Sequence, residues 1–304
     1  MVRMSFGNSA GAAVLLSLVQ LASTAQVPAG ASGVSGRGRG VMSRQPDPID
    51  FSDHAGWAEL FDGRSINGWD GNPTVWRVEN GALVGEYNTP EGTRNGETFI
   101  IWKGGAPADF ELKLEIRLEG AMADSGIQYR SYMATAAPGR GGAAGGSSGS
   151  GPGRSAPVGA SGVRVQGTAA TTPADTRWSV GGYQFDFNYP NNFTGQVVDG
   201  GRGNRGIVAF RGQLVRTETG KNPRLLSTLG TLDELGAFFK RDDWNQVHLI
   251  ARGNTLIQSI NGHVMAILID DDAMKALTKG LIALQCSGSG SLKVSFRNIW
   301  LKTL

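Results

Sequence analysis

The chain has 304 residues, 40% of them hydrophobic and 18% charged, with 46 glycines, 12 prolines and one cysteine. That length supports one large β domain or two ordinary ones, while the glycine count and low charge exclude a long coiled coil. The lone Cys286 excludes a disulfide framework or a multi-cysteine metal site. Seven arginines (Arg3, Arg37, Arg39, Arg44, Arg140, Arg154, Arg164) against three acids (Asp47, Asp50, Asp175) lie within 1–50 and 134–176. The formal charge of +3 therefore belongs to those segments. The remainder is near neutral and lacks the basic stripe of a nucleic-acid-binding domain.

At the N-terminus, Arg3 precedes an apolar run from Ala10 to Ala22 and the small residues Ser23-Thr24-Ala25. That is the order of a signal peptide, and the run is too short to span a bilayer. The expectation is a signal peptide over 1–25, cleavage after Ala25, and a secreted or periplasmic protein with no membrane span. Residues 26–55 are rich in Gly, Ser, Ala and Arg and read as a low-complexity linker.

From 56 to 304 short apolar runs alternate with turn residues. Trp76–Glu79, Ala82–Glu86, Thr98–Trp102, Phe110–Leu118 and Gly126–Tyr132 read as strands, the fourth with strict apolar/charged alternation. Asn80-Gly81 predicts a tight hairpin between the first two. Residues 134–176 contain almost no large apolar side chains and read as an insertion within one domain, because strand text resumes at Trp178. Gly182–Asn188, Ile207–Phe210, Leu214–Thr217, Gln246–Ala251, Thr255–Ile260, His263–Ile269, Leu281–Gln285 and Leu292–Phe296 follow, with Asn261-Gly262 as a second hairpin. Thr231 and Glu234 form a capping box for a short helix through Leu235, Phe238 and Phe239. A second short helix is expected after Asp270-Asp271-Asp272, through Met274 and Leu277. The acidic triplet reads as a turn and N-cap, so calcium is not indicated and no cofactor is expected. So many short strands predict an all-β jelly-roll sandwich of two antiparallel sheets with one or two short helices.

Gly201-Arg202-Gly203-Asn204-Arg205-Gly206 fits the dinucleotide fingerprint in letters, but a strand-like run, Ile207–Phe210, follows where a helix is required. His54, His248 and His263 lack ligand spacing. The informative feature is a polar stripe on apolar strands. Gln128 and Arg130 alternate with Ile127 and Tyr129, and Gln184 and Asp186 with Tyr183, Phe185 and Phe187. Two other runs end on Gln285 and Glu86. Amides, carboxylates and a guanidinium repeating at period two suit a sheet face that hydrogen-bonds a polyhydroxylated ligand. The competing reading is an ordinary solvent-facing sheet.

An ordered set of motifs accompanies that stripe. It comprises Glu59-Leu60-Phe61-Asp62-Gly63 with Gly68-Trp69, then Trp76 to Glu86, then Phe110-Glu111-Leu112. Asp124-Ser125-Gly126-Ile127-Gln128-Tyr129-Arg130 and Gly181-Gly182-Tyr183-Gln184-Phe185-Asp186 follow. Trp244-Asn245, Ala251-Arg252-Gly253-Asn254, Ile260-Asn261-Gly262 and Phe296-Arg297-Asn298-Ile299 complete it. In this order they resemble the 3-keto-disaccharide hydrolase family. The resemblance implies a concanavalin A-like jelly roll acting on glycosides already oxidised at C3 by a partner glycoside 3-dehydrogenase. This chain departs from similar sequences at two places. Where they carry an acidic pair it reads Gly195-Gln196-Val197-Val198-Asp199-Gly200, and where they carry a histidine after Leu-Gln it reads Cys286-Ser287-Gly288.

A ketone at C3 acidifies the C2 proton, so the C1 substituent can leave by elimination and water can then add. Such a site needs a base and a donor to the enolate oxygen. Asp186 or Glu86 is the candidate base, Arg130 the candidate enolate partner, and Gln128, Gln184 and Gln285 the candidate readers of substrate hydroxyls. Arg202 and Arg205 are then expected to close over the site. Glu86 with Asp186 as a conventional glycosidase pair is a less economical mechanism, and a non-catalytic carbohydrate-binding module of the same fold is the alternative function.

Overall fold

The computed structural model describes residues 49–134, 176–200 and 205–304. The expected signal peptide, residues 26–48 of the linker, the insertion between 134 and 176, and Arg202 lie outside the described residues. In chain order the strands are β1 (Ala58–Glu59), β2 (Trp69–Gly71), β3 (Trp76–Glu79), β4 (Ala82–Tyr87), β5 (Thr98–Trp102) and β6 (Phe110–Glu119). β7 (Ala123–Met133), β8 (Val180–Asn188), β9 (Val197–Gly200), β10 (Gly206–Ala209), β11 (Gln213–Glu218) and β12 (Arg224–Thr228) follow. After helix α1 (Leu232–Gly236) come β13 (Asn245–Arg252), β14 (Thr255–Ile260), β15 (His263–Asp271), β16 (Leu281–Gly288) and β17 (Leu292–Thr303). Among the described residues no helix is long and apolar enough to cross a membrane.

The strands form two sheets of a jelly-roll sandwich. One has ten strands in the order β12-β11-β15-β14-β13-β6-β17-β4-β3, with β1 added to β17. The other has seven, ordered β10-β9-β8-β7-β16-β5-β2. Pairing is antiparallel as expected, with one parallel pair, β11 and β15, near the edge of the larger sheet.

Alternation places the core between the sheets. Phe110, Leu112, Leu114, Ile116 and Leu118 of β6 face inward, opposed by Ile127 and Tyr129 of β7 and Tyr183, Phe185 and Phe187 of β8. Each such side chain contributes about 1.5–3 kcal/mol by leaving water. Tyr129 buries its hydroxyl only because Gln258 Nε2 donates to it at 2.9 Å. Residues 49–57 lie on the outer face of the ten-stranded sheet, where the Asp50 and Asp53 carbonyls accept from the buried Lys113 ammonium, 4.5 Å from the Trp57 ring.

Both predicted hairpins form. Asn80 and Gly81 (φ 50° and 79°) join Glu79 to Ala82, and Asn261 and Gly262 (φ 49° and 81°) join Ile260 to His263. The Thr231/Glu234 capping box is present at α1. The expected second helix is instead a turn: Asp270 and Asp271 end β15, and Asp272 accepts from the Met274 N–H through its side chain. Asp270 is committed inward, to Tyr183, Thr217 and Arg205.

Candidate functional site

The seven-stranded sheet turns its apolar side to the core and a polar side outward. Cross-strand register arranges the outward residues of β5, β16, β7 and β8 in rows. One row reads Ser287, Asp124, Asn188, with Glu97 just before β5 beside Ser287. The next holds Phe99 opposite Gln285 and Gly126 opposite Asp186. The third runs Ile101, Ala283, Gln128, Gln184, Val198. The face thus grades from carboxyl groups through amides to hydrocarbon, where Phe99, Ile101 and Ala283 cluster with Trp178 and Val180.

Over the polar rows lies a cavity of about 470 Å³ whose lining includes Arg94, Glu97, Asp124, Gln128, Gln184, Asp186, Gln285 and Ser287. The loop between β8 and β9 supplies a wall through Tyr189, Pro190, Asn192 and Phe193. That loop is held where Asn188 Oδ1 accepts from the Phe193 N–H at 2.7 Å.

The buried amides form one directed chain of hydrogen bonds. Ser131 Oγ donates to Gln128 Oε1 (2.9 Å), and Gln128 Nε2 to Gln184 Oε1 (2.6 Å). Gln184 Nε2 then donates both to Asp186 Oδ1 (3.1 Å) and to Gln285 Oε1 (3.0 Å). Gln196 Nε2 gives Asp186 Oδ2 a second donor at 2.8 Å. Gly126 makes this possible, because a Cβ there would stand 2.3 Å from Gln184 Nε2. Every amide is oriented, so the array presents fixed polar groups without the cost of unsatisfied ones.

Burial is the first cause of unusual acidity here. It raises Asp186 to about 7 against the pull of the Gln196 and Gln184 amides. It also raises Asp124 well above the carboxylate range, with the charges of Asp186 and Glu97 adding to the effect. Glu97 is raised by burial too, opposed by Gln285 and Arg94. Among the described residues no group of three His, Cys, Asp or Glu is arranged to hold a metal ion.

Of the residues singled out in the sequence, Gln128, Gln184, Gln285 and Asp186 come together in this cavity. Three others do not. Arg130 occupies a bulge in β7 with φ 46°, which reverses the alternation after Tyr129 and turns the guanidinium away from Gln128. It donates to the carbonyls of Ala108 (2.9 Å), Gly253 (2.7 Å) and Leu277 (3.3 Å) and to Asp109 Oδ1 (3.0 Å), joining three loops. Glu86 sits in the other sheet, paired to Arg77 at 2.5 Å. Arg205 is drawn inward by Asp199 and Asp270, each at 2.6 Å. Arg202 is outside the described residues.

The cavity is also lined by Glu97, Asp124 and Arg94, and Gln196 supports Asp186 beside it, none of which the sequence pointed to. Asp124 was within reach of it, since Asp124, Gly126 and Gln128 continue one period-two series. Gln196 lies in a loop with no period, and Glu97 precedes a wholly apolar run. Ser287 also faces this space, while Cys286 points into the core, where burial pushes its thiol up.

No curated protein matches the chain. Among solved structures, a candidate glycosyl hydrolase from Parabacteroides distasonis is 15% identical, with 82% of this chain and 99% of that chain covered and a TM-score of 0.45. A Bacillus subtilis protein of unknown function with a galectin-like fold is 12% identical over 81% and 94% of the two chains, TM-score 0.44. The carbohydrate-binding module CBM66 from Bacillus subtilis is 10% identical over 78% and 96%, TM-score 0.43. The family model of the 3-keto-alpha-glucoside-1,2-lyase-like domain matches residues 56–302, and the chain belongs to that family.

Proposed function

We propose that this protein cleaves glycosides or disaccharides bearing a ketone at C3, by elimination across C1–C2 followed by hydration, so that the net reaction is hydrolysis. The observation that carries the reading is Asp186. Its carboxyl group opens on a cavity of sugar size, takes two amide donors, and is lifted to about 7, the range in which a carboxylate accepts a carbon-bound proton and releases it again. Membership of a family named for 3-keto-glucoside lyases supplies the substrate class. Gln128, Gln184 and Gln285 orient the hydroxyl groups. Arg94, the one arginine lining the cavity among the described residues, takes the enolate role first expected of Arg130.

Such a substrate requires a dehydrogenase that oxidises C3 first, and the N-terminal segment supports export, so both steps belong outside the cytoplasm. The test offers the purified protein 3-keto-trehalose and unoxidised trehalose. Cleavage of the keto-sugar alone, reduced about 10²–10⁴-fold in Asp186→Asn, supports the proposal. Retention of sugars without turnover of either compound selects the second reading, a carbohydrate-binding module. Ser287, standing in the segment where similar sequences carry a histidine, is the observation that favours this alternative.

A further inference from the structure

Asp124 has no part in the reading above, yet its position gives it one. It lines the same cavity as Asp186, one row away across the β7–β8 pair, since Asp124 is opposite Asn188 and Gly126 opposite Asp186. Diagonal neighbours on paired antiparallel strands lie roughly 7–8 Å apart. Two carboxyl groups at such a spacing can flank one scissile bond. Gly126 between them contributes no side chain of its own.

The hydrogen-bond chain sorts the carboxyl groups into two kinds. Its donors end on Asp186, which receives Gln184 and Gln196, while the Gln285 amide favours the ionised form of Glu97. Among the described residues no side chain donates to Asp124. A carboxyl group supplied with donors is stabilised as the anion. One buried in the same cavity without them, with two other carboxyl groups nearby, is stabilised as the neutral acid, and its own O–H becomes the donor. The groups facing Asp124 agree. Burial comes first, then the charges of Asp186 and Glu97, all favouring the proton, against the Ser125 N–H and Arg94.

We propose that Asp124 is the acid that protonates the departing glycosidic oxygen while Asp186 takes the C2 proton. The assignment rests on the elimination reading. Asp186 removes the proton from C2, the C2–H electron pair forms the C1–C2 double bond, and the C1–O bond breaks. The oxygen leaves as an alcohol carrying the Asp124 proton. In hydration the ionised Asp124 takes a proton from water as its oxygen adds to C1, and Asp186 returns its proton to C2. Both groups end as they began, and no other reactant is needed.

The test compares the full chain and Asp124→Asn on two keto-sugars, 3-keto-trehalose and the para-nitrophenyl 3-keto-glucoside. The phenolate of the second leaves without needing a proton. The expected result is a loss of about 100-fold or more on the disaccharide but less than about fivefold on the aryl glycoside. The fall of kcat/KM at high pH on the disaccharide should vanish in the variant. Equal losses on both substrates overturn the acid assignment and leave the elimination reading standing. A wild-type protein inert toward both overturns that reading and this assignment with it. If Asp124→Asn does not fold, Asp124→Ser carries the same comparison.

Discussion

The outer faces of the two sheets are made from the same period-two alternation and differ in how their carboxylates are answered. On the ten-stranded sheet most acids have a cation on the same strand or a neighbouring one. Arg77 holds Glu79 and Glu86, each at 2.5 Å, Lys293 holds Glu79 at 2.5 Å, and Arg297 holds Glu115 at 2.6 Å. Trp244 lies between Arg117 and Arg297, its ring centroid 5.1 and 4.0 Å from the two guanidinium carbons. On the seven-stranded sheet Asp186 is answered by oriented amides rather than a cation, and Glu97 and Asp124 have a single described arginine, Arg94, to offset them, beneath a cavity. A paired, solvated carboxylate stays ionised through the physiological range. One held by amides in a hollow is carried toward neutral pH and can exchange a proton. The sign and amount of compensating charge therefore separate a structural face from a chemical one, although the alternation in the sequence is the same.

The sharpest consequence is a cost in stability confined to the seven-stranded face. Asp186 has a folded-state value of about 7 against an ordinary 3.8. Between those values the native chain holds a proton that the unfolded chain has released. Stability from this group is therefore full below about pH 4 and falls as pH rises to about 7. At about 1.4 kcal/mol per unit the loss is on the order of 4 kcal/mol. Asp186→Asn, which cannot ionise, should match the wild type in urea unfolding at pH 4 and exceed it at pH 8. No gain at pH 8 would mean that the amides hold the carboxylate as comfortably as cations hold Glu79, and the contrast between the faces would fail.

Next in size is Arg130. Its guanidinium satisfies three loop carbonyls, and removing it leaves buried acceptors without donors. Arg130→Met keeps most of the stem and should cost about 3 kcal/mol of stability. Turnover by the folded fraction should be unchanged, because the group points away from the cavity. Loss of turnover at undiminished stability would return Arg130 to the site.

Arg130 also marks where sequence reasoning stops. Gln128, Gln184 and Asp186 were legible because each lies in an unbroken alternating run, and alternation alone decides which face a side chain takes. Gln285 stood out only as the polar end of an apolar run. Most of the strands were legible from their apolar runs, but not the short β1, β2 and β9, while turn and capping chemistry gave the two Asn-Gly hairpins and the Thr231/Glu234 cap. Arg130 extends such a run by two residues, but the positive φ at its bulge inverts the face, and nothing in Gln-Tyr-Arg-Ser announces that. Glu86 failed differently. Its face was correctly read as polar, but which sheet a strand joins depends on pairing with β17, more than 200 residues away. Arg205 was drawn inward by Asp199 and Asp270, a charge balance visible only when three separate segments meet. β12, exposed along its whole length, has no buried face and hence no period to read.

The smallest expected effect is the most direct check on the comparison, and it concerns Glu86. Its partner Arg77 retains Glu79 when Glu86 is neutralised, so Glu86→Gln removes half of a shared, partly exposed ion pair and strands no buried charge. Pairs of this kind contribute about 0–1 kcal/mol and weaken as salt rises. The variant should lose less than about 1 kcal/mol in low salt, with the difference shrinking toward nothing at about 1 M salt. Turnover of the keto-disaccharide should stay within about twofold of wild type, against the loss of two to four decades expected for Asp186→Asn. A drop for Glu86→Gln comparable with that of Asp186→Asn would bring the ten-stranded face into the chemistry. Cation-paired carboxylates would then no longer identify the passive side of this sandwich.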